Sequence, residues 1–311
     1  MPHVTFIHGL SNKPEAETLH QLWKRALTKG DKPLNLGDRG VSTSMIYWAD
    51  VLYPAPDPNV ADYESAGENR AEEVDGGGGA TVPVGTSEAE RRFLQASRAR
   101  QTRMSDAELE APDEGPADSG ATPLERVPLP WWIKKKIMAA QIRDAYLYLF
   151  NKEFSPRPGV TYRVQDEIRQ RFVDALKATS AAGPQVVVSH SMGTMIAYDC
   201  LKRVLGCPVI DGLITLGSPL GVDEVQDCFK PEWTRDNGYP SGKIKSGWAN
   251  LFDRLDVVCA ADPELANDFR AASVNKIEDI SVTNDGAWRH SIVKYFARDE
   301  VRGSIAAMLK L

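Results

Sequence analysis

Cysteine is scarce in this chain, with only Cys200, Cys207, Cys228 and Cys259. None belongs to a C-x-x-C pair, and no histidine-rich cluster accompanies them. That spacing argues against a structural disulfide or a zinc site and leaves them as reduced, mostly buried thiols. Positive charge is short as well: 37 Lys and Arg stand against 43 Asp and Glu, a net charge of −6. Without a basic field, nucleic acid is not an expected partner. Long apolar runs are missing too. No stretch of about 18 apolar residues occurs, so no transmembrane helix is expected. The opening MPHVTFIHGL lacks the basic, apolar and small-residue regions of a signal peptide, so the expected location is cytoplasmic. There is no internal repeat. Neither G-x-G-x-x-G after a strand nor G-x-x-x-x-G-K-[ST] occurs, so nucleotide binding has no support.

What remains is a globular composition, 42% hydrophobic and 26% charged over 311 residues, enough for one sizeable core or two small ones. Val4 to Ile7 reads as a buried strand ending in His8-Gly9. A helix follows Pro14, with Leu19, Leu22, Trp23, Ala26 and Leu27 at helical spacing. A second strand is expected over Ser44 to Ala49. From Ala55 to Pro130 the chain turns rich in Pro, Gly, Asp, Glu and Ala, as in DGGGGATVPVG and APDEGPADSGATP. Such a segment buries too little apolar surface to offset its ordering entropy, and it reads as a mobile insertion with one helix in SEAERRFLQASRARQTRM. Pro130 to Phe150 carries Met138, Ile142, Ala145 and Leu149 on one helical face. It reads as an amphipathic lid or cap helix packed on the core, or, through Trp131, Trp132 and Lys134 to Lys136, as a peripheral membrane contact.

Regular alternation then sets in. TYRVQDEIRQRFVDALKATSAAG reads as a helix closed by Gly183-Pro184. Strands follow at Gln185 to Ser189, Asp211 to Leu216, Trp248 to Phe252 and Lys276 to Val282. Helices are expected at Ser191 to Leu205 and Ser291 to Leu309. Near-continuous apolar strands alternating with helices imply an α/β fold, a mostly parallel sheet with helices on both faces. The expected organisation is a core over 1–54 and 151–311, the insertion over 55–130 and the lid or cap helix over 131–150.

The chemistry concentrates at QVVVSHSMGTMIAYD. Ser189-His190-Ser191-Met192-Gly193 has the form small-x-Ser-x-Gly between a buried strand and a helix. In a nucleophile elbow the central serine takes a strained turn that small neighbours make room for. The N–H of the next residue, Met192, and the helix N-terminus then favour developing negative charge. The same serine could instead merely cap the helix. A serine nucleophile needs a base, and the base needs an orienting carboxylate. Of five histidines, His290 alone lies late in the chain, in NDGAWRHSIVKYF, between the last strand and the last helix. WANLFDRLDVV offers Asp253 and Asp256 just past a strand end. Asp256 is preferred, Asp253 is the reserve, and Asp223 is a third candidate. The order Ser191, Asp256, His290 suits an elbow-type triad. A second oxyanion donor is expected from FIHGL, through the Leu10 N–H, with His8 and Gly9 shaping the loop and Gly193 making room behind the serine.

With these residues in view, the sequence resembles the α/β-hydrolase superfamily, in particular its bacterial lipase- and esterase-like members. VTFIHGL, VVVSHSMGTMIAYDCL, LITLGSPLG, WANLFDRLDVV and RHSIVKYF carry the resemblance. Ser189 departs from the usual glycine, and no strand precedes VTFIHG, so the expected sheet is shortened at its N-terminal edge. The resemblance implies cleavage of carboxylic esters through an acyl-enzyme on Ser191, with no metal or organic cofactor. The substrate is then a small-molecule or lipid ester. A lipase or phospholipase acting on lipid aggregates, and a non-catalytic binding module of the same fold, are the alternatives.

Overall fold

The computed structural model describes residues 1–30, 32–58, 85–103, 142–179, 183–259, 261–285 and 288–311. In chain order the first elements are β1 (His3–Ile7), α1 (Ala16–Leu27), β2 (Ser42–Ile46), α2 (Glu88–Arg103) and α3 (142–149). A hairpin follows, β3 (Glu153–Arg157) and β4 (Val160–Arg163), and then α4 (Val164–Ala178), β5 (Gln185–His190) and α5 (Met192–Arg203). The chain closes with β6 (Ile210–Leu216), α6 (Asp223–Asp227), β7 (Ile244–Phe252), β8 (Ile277–Ser281), α7 (Ile292–Phe296) and α8 (Asp299–Leu309). Six strands form one sheet in the order β2-β1-β5-β6-β7-β8, and every pairing in it is parallel.

Each buried strand divides its side chains between two apolar layers, as the two-residue period requires. Val4, Phe6, Val186, Val188, Ile214 and Leu251 pack with α1, α7 and α8. Ile7, Val187, Leu213 and Trp248 pack with α3, α4 and α5. Burying one such Val, Leu, Ile or Phe side chain stabilises the fold by about 1.5–3 kcal/mol. α1 buries the five residues its periodicity marks, Leu19, Leu22, Trp23, Ala26 and Leu27. α5 is buried from Met192 through Leu201, so it is a core helix rather than a surface one.

The order places a topological switch at β1. The chain leaves β1 for β2 on one side and later returns to β5 on the other. In open parallel sheets the crevice beyond the strand ends at such a point is where ligands bind. Register does the rest. Ile7 lies beside Ser189 and Leu216 beside both His190 and Leu251, so the strand ends are level. The turns after β1, β5, β6 and β7 therefore meet.

Four boundaries differ from the sequence reading. β2 ends at Ile46 and not at Ala49, because both N–H groups of Trp48 turn to His8 and a 3-10 turn follows at Ala49–Val51. Thr161 to Arg163 belong to the hairpin, whose turn is Arg157-Pro158-Gly159-Val160 with Gly159 at φ 75°; proline then glycine is the signature of a type II turn. β7 begins at Ile244, earlier than Trp248. The expected last helix is two: Arg298 is extended, the acidic Asp299 and Glu300 start a new N-terminus, and Arg302 donates to the Phe296 carbonyl that ends α7.

Within the expected insertion, α2 is described and buries Phe93 and Leu94 in the α5-side layer. Of the expected lid helix, 131–141 lie outside the described residues. Its end, α3, sets Tyr146, Leu147, Tyr148 and Leu149 into the same layer. Among the described residues no helix is long and apolar enough to cross a membrane.

Candidate active site

Ser191 sits between β5 and α5 at φ 55°, ψ −130° and is 1% exposed. A non-glycine residue there costs on the order of 1–3 kcal/mol and needs surroundings that impose it. They are present. The Ser191 N–H donates to Leu216 O at 3.0 Å. The Ser191 carbonyl accepts from the Thr194 N–H at 2.9 Å and its hydroxyl at 2.7 Å. A Cβ on Gly193 would lie 2.7 Å from the carbonyl oxygens of Ile7 and His8, so the elbow could not close with a larger residue. Ser189, where a glycine is usual, fits because its hydroxyl donates to Ile214 O at 2.9 Å. The Ser191 side chain makes no capping bond, and its Oγ is buried with no hydrogen-bond partner. The helix-cap role is thus not filled.

The loop after β1 lies directly over this serine. A Cβ on Gly9 would come within 2.5 Å of Ser191 Cβ and 3.1 Å of its Oγ. His8 sets the next peptide. Its Nε2 accepts the Trp48 N–H at 3.0 Å, which leaves the proton on Nδ1, and Nδ1 donates to Gly9 O at 2.9 Å. In a trans peptide the Leu10 N–H points opposite to that carbonyl. The His8 ring stacks on Trp48 at 4.7 Å and 16°, and burial, then the Lys13 charge, push its pKa well down. A neutral, single-tautomer His8 follows. The Leu10 N–H and the Met192 N–H donate to no partner among the described residues; the latter is a first-turn helix donor, which has none by construction.

After β7, His290 Nδ1 donates to Asp256 Oδ2 at 2.8 Å, with both groups buried. Burial pushes the Asp256 carboxyl up, but the His290 charge and the bonds from His290, the Val258 N–H and the Tyr295 hydroxyl outweigh it and hold the carboxyl below its ordinary range. Gly217, at φ 53°, backs the pair; a Cβ there would sit 2.7 Å from Asp256 Oδ2 and 3.0 Å from His290 Nδ1. His290 Nε2 is buried with no partner, like Ser191 Oγ, and no hydrogen bond joins the two in this structure. Such bonds are often long without substrate.

Asp253, the reserve acid, has other work. Its Oδ2 accepts from the Asn284 N–H at 2.6 Å and Arg289 at 3.2 Å, and Asn284 Nδ2 donates to Arg289 O at 2.8 Å. This clamps the loop that carries His290. Asp223 opens α6 and bonds no histidine among the described residues. His190 is buried beside His290, ring centres 4.6 Å apart, and its Nε2 donates to the His290 carbonyl at 2.9 Å.

Sequence reasoning missed Tyr295. Its hydroxyl accepts the Asp253 N–H at 3.1 Å and donates to Asp256 Oδ2 at 2.7 Å, the oxygen that also holds His290. The sequence signal was only a tyrosine one helical turn into α7. Tyr295→Phe removes a donor to a buried carboxylate and should cost about 1.5–3 kcal/mol at neutral pH. The sign of the pH effect follows from the depressed Asp256 value. The stability it contributes is present above the ordinary carboxylate pKa and is lost as pH falls through the depressed one. The variant raises that folded-state value, so its deficit should narrow on acidification. Urea melts of both proteins at pH 7 and near pH 3 measure it; a deficit independent of pH would show that the hydroxyl does not act on the carboxylate.

No group of three or more His, Cys, Asp and Glu suited to a metal occurs among the described residues. A cavity of about 330 Å³ lies at the far end of α5 from Ser191, lined by Leu201, Lys202, Tyr239 and Lys243. Both lysines there bond backbone carbonyls. In comparisons with known proteins, no family model matches the chain and no curated protein matches it significantly.

Proposed function

We propose that the protein is a serine hydrolase of the α/β-hydrolase fold that cleaves carboxylic esters through an acyl-enzyme on Ser191. The observation that carries this reading is the strained Ser191 with a free, buried Oγ, next in the chain to His190, whose ring lies 4.6 Å from that of a His290 already paired with Asp256. Strain and unspent hydrogen-bonding capacity cost stability, so they call for a reason beyond folding.

In the proposed reaction Ser191 Oγ attacks the ester carbonyl carbon while His290 Nε2 takes its proton. Asp256 keeps the His290 proton on Nδ1, so that Nε2 is the acceptor, and stabilises the imidazolium. The carbonyl oxygen becomes an anion held by the Leu10 and Met192 N–H groups, at the positive end of α5. Collapse breaks the bond to the alcohol, which leaves with the proton from His290. Water, deprotonated by the same nitrogen, then attacks the acyl-enzyme through the same intermediate and releases the acid and Ser191.

The experiment is labelling with a fluorophosphonate, together with turnover of p-nitrophenyl esters of graded chain length, with and without lipid vesicles. A single label on Ser191 and turnover of soluble short esters are the expected results. Turnover that appears only on vesicles would favour the lipase alternative. No label and no turnover would leave a binding module.

A further inference from the structure

Two buried charges of opposite sign hold the loop that carries the Leu10 N–H. Lys13, 2% exposed, sends its ammonium to the carbonyls of Leu10, Ser11 and Asn12. From the other side comes Asp144 of α3, with 0% exposure. Its Oδ2 accepts the Ser11 N–H at 3.3 Å and the Tyr53 hydroxyl at 2.8 Å. Its Oδ1 accepts Arg143 Nε at 3.0 Å and the terminal nitrogen at 2.8 Å. Arg143 in turn lies over the Tyr53 ring at 5.1 Å. A carboxylate with this many donors, inside an apolar layer, is a fixed point rather than a mobile side chain.

Ser11 is where the loop needs one. It stands at φ 69°, in the left-handed region, without being glycine. That conformation persists only when neighbours impose it. The Ser11 peptide follows directly on Leu10, so a relaxed Ser11 rotates the plane beside the Gly9–Leu10 peptide, whose Gly9 lies against Ser191. The Gly9 side of the Leu10 peptide is fixed by His8; the Ser11 side is held by Asp144 at its N–H and by Lys13 at its carbonyl.

Resting on the hydrolase reading, we propose that Asp144 is a positioning residue for the oxyanion loop: by anchoring the strained Ser11 N–H it keeps the Leu10 N–H aimed at the oxyanion. α3 is then a strut that couples the segment following the insertion to the reacting centre. Asp144 itself touches neither serine nor substrate.

The test uses the full chain and p-nitrophenyl butyrate. Asp144→Ala should lower kcat by on the order of 10–100-fold with KM changed less than about threefold, since the misplaced donor acts mainly on the transition state. Asp144→Asn keeps an acceptor toward the Ser11 N–H and should recover most of kcat. Active sites are counted by end-point fluorophosphonate titration, so lost folded protein does not count as lost rate. The decisive readout is the affinity for a trifluoromethyl ketone, whose adduct on Ser191 places an oxyanion in the hole. It should weaken across the variants in proportion to kcat/KM. Should Asp144→Ala fail to fold, Tyr53→Phe, which removes one donor to the same oxygen, should show a smaller loss with the same proportionality. A per-site kcat equal to wild type, or a kcat loss with ketone affinity unchanged, overturns the proposal. Wild-type protein that neither labels nor turns over would instead overturn the hydrolase reading, a different and separable result.

Discussion

Ser191→Ala should abolish ester turnover, with a fall in kcat on the order of 10⁵–10⁶-fold, and should leave the protein as stable as wild type or more so. Both halves come from the same atoms. The hydroxyl is the proposed attacking group, and triad members act as a unit, so removing one removes most of what the triad supplies. The stability half is less usual. Most buried side chains lose a contact when truncated. Ser191 Oγ has no hydrogen-bond partner and is buried, so its removal breaks no bond. It instead relieves an unsatisfied polar group, which costs about 1–3 kcal/mol to bury. Alanine keeps the Cβ and therefore the strain of φ 55°, so the backbone should not rearrange. Turnover of p-nitrophenyl butyrate and a thermal melt, run on one preparation, test both. Residual activity above about a hundredth of wild type would remove Ser191 from the nucleophile's place. A large drop in melting temperature would mean that the hydroxyl is structural.

The parts of the site legible in sequence are the local ones. Strand, serine turn and helix occupy consecutive residues, and small residues at 189 and 193 mark the close approaches that form there. His8-Gly9 was legible for the same reason: a glycine at a strand end signals contact, and the contact is with Ser191 itself. What could not be read depends on side chains meeting across the chain. Asp253 and Asp256 share one turn after β7, and spacing alone does not say which faces His290. The fold decides by binding Asp253 to Asn284 and Arg289. Tyr295 lies 39 residues from the carboxylate it touches, and Asp144 lies 133 residues from Ser11.

Asp144 was hidden for a further reason. The apolar stripe of Met138, Ile142, Ala145 and Leu149 gave its helix one buried face, and residue 144 is not part of it. The described part, α3, is buried at Asp144 and at every residue from Tyr146 to Leu149. Periodicity detects a helix with a wet side; it has no signal for one that buries a carboxylate on satisfied hydrogen bonds. The hairpin was missed because Thr161 to Arg163, in its second strand, were read as the start of a strong helix.

Asp256→Asn should lower kcat by about 10⁴-fold while the fold survives, and Asp253→Asn should do the reverse. Asp256 Oδ1 accepts the Val258 N–H at 3.0 Å, and Oδ2 accepts His290 Nδ1 at 2.8 Å and the Tyr295 hydroxyl at 2.7 Å. An asparagine must put its NH₂ at one of those places. At the first it would face a backbone donor that cannot turn. At the second it faces a hydroxyl, which can rotate to accept, and His290 Nδ1, which accepts if the imidazole carries its proton on Nε2. The second is therefore favoured, and it selects the tautomer that cannot take the serine's proton. The variant should look native by circular dichroism yet be nearly inert. Asp253 contacts the loop backbone and Arg289, with both side chains 4% exposed. Breaking a buried pair of this kind typically costs 3–5 kcal/mol, because Arg289 is left facing an amide. Asp253→Asn should thus melt several degrees lower, while turnover per titrated active site falls far less than in Asp256→Asn. Per-site kcat and melts on the two variants separate the roles. If Asp253→Asn were the inert, native-like protein, the acid would be Asp253 and the tautomer argument would fail with it.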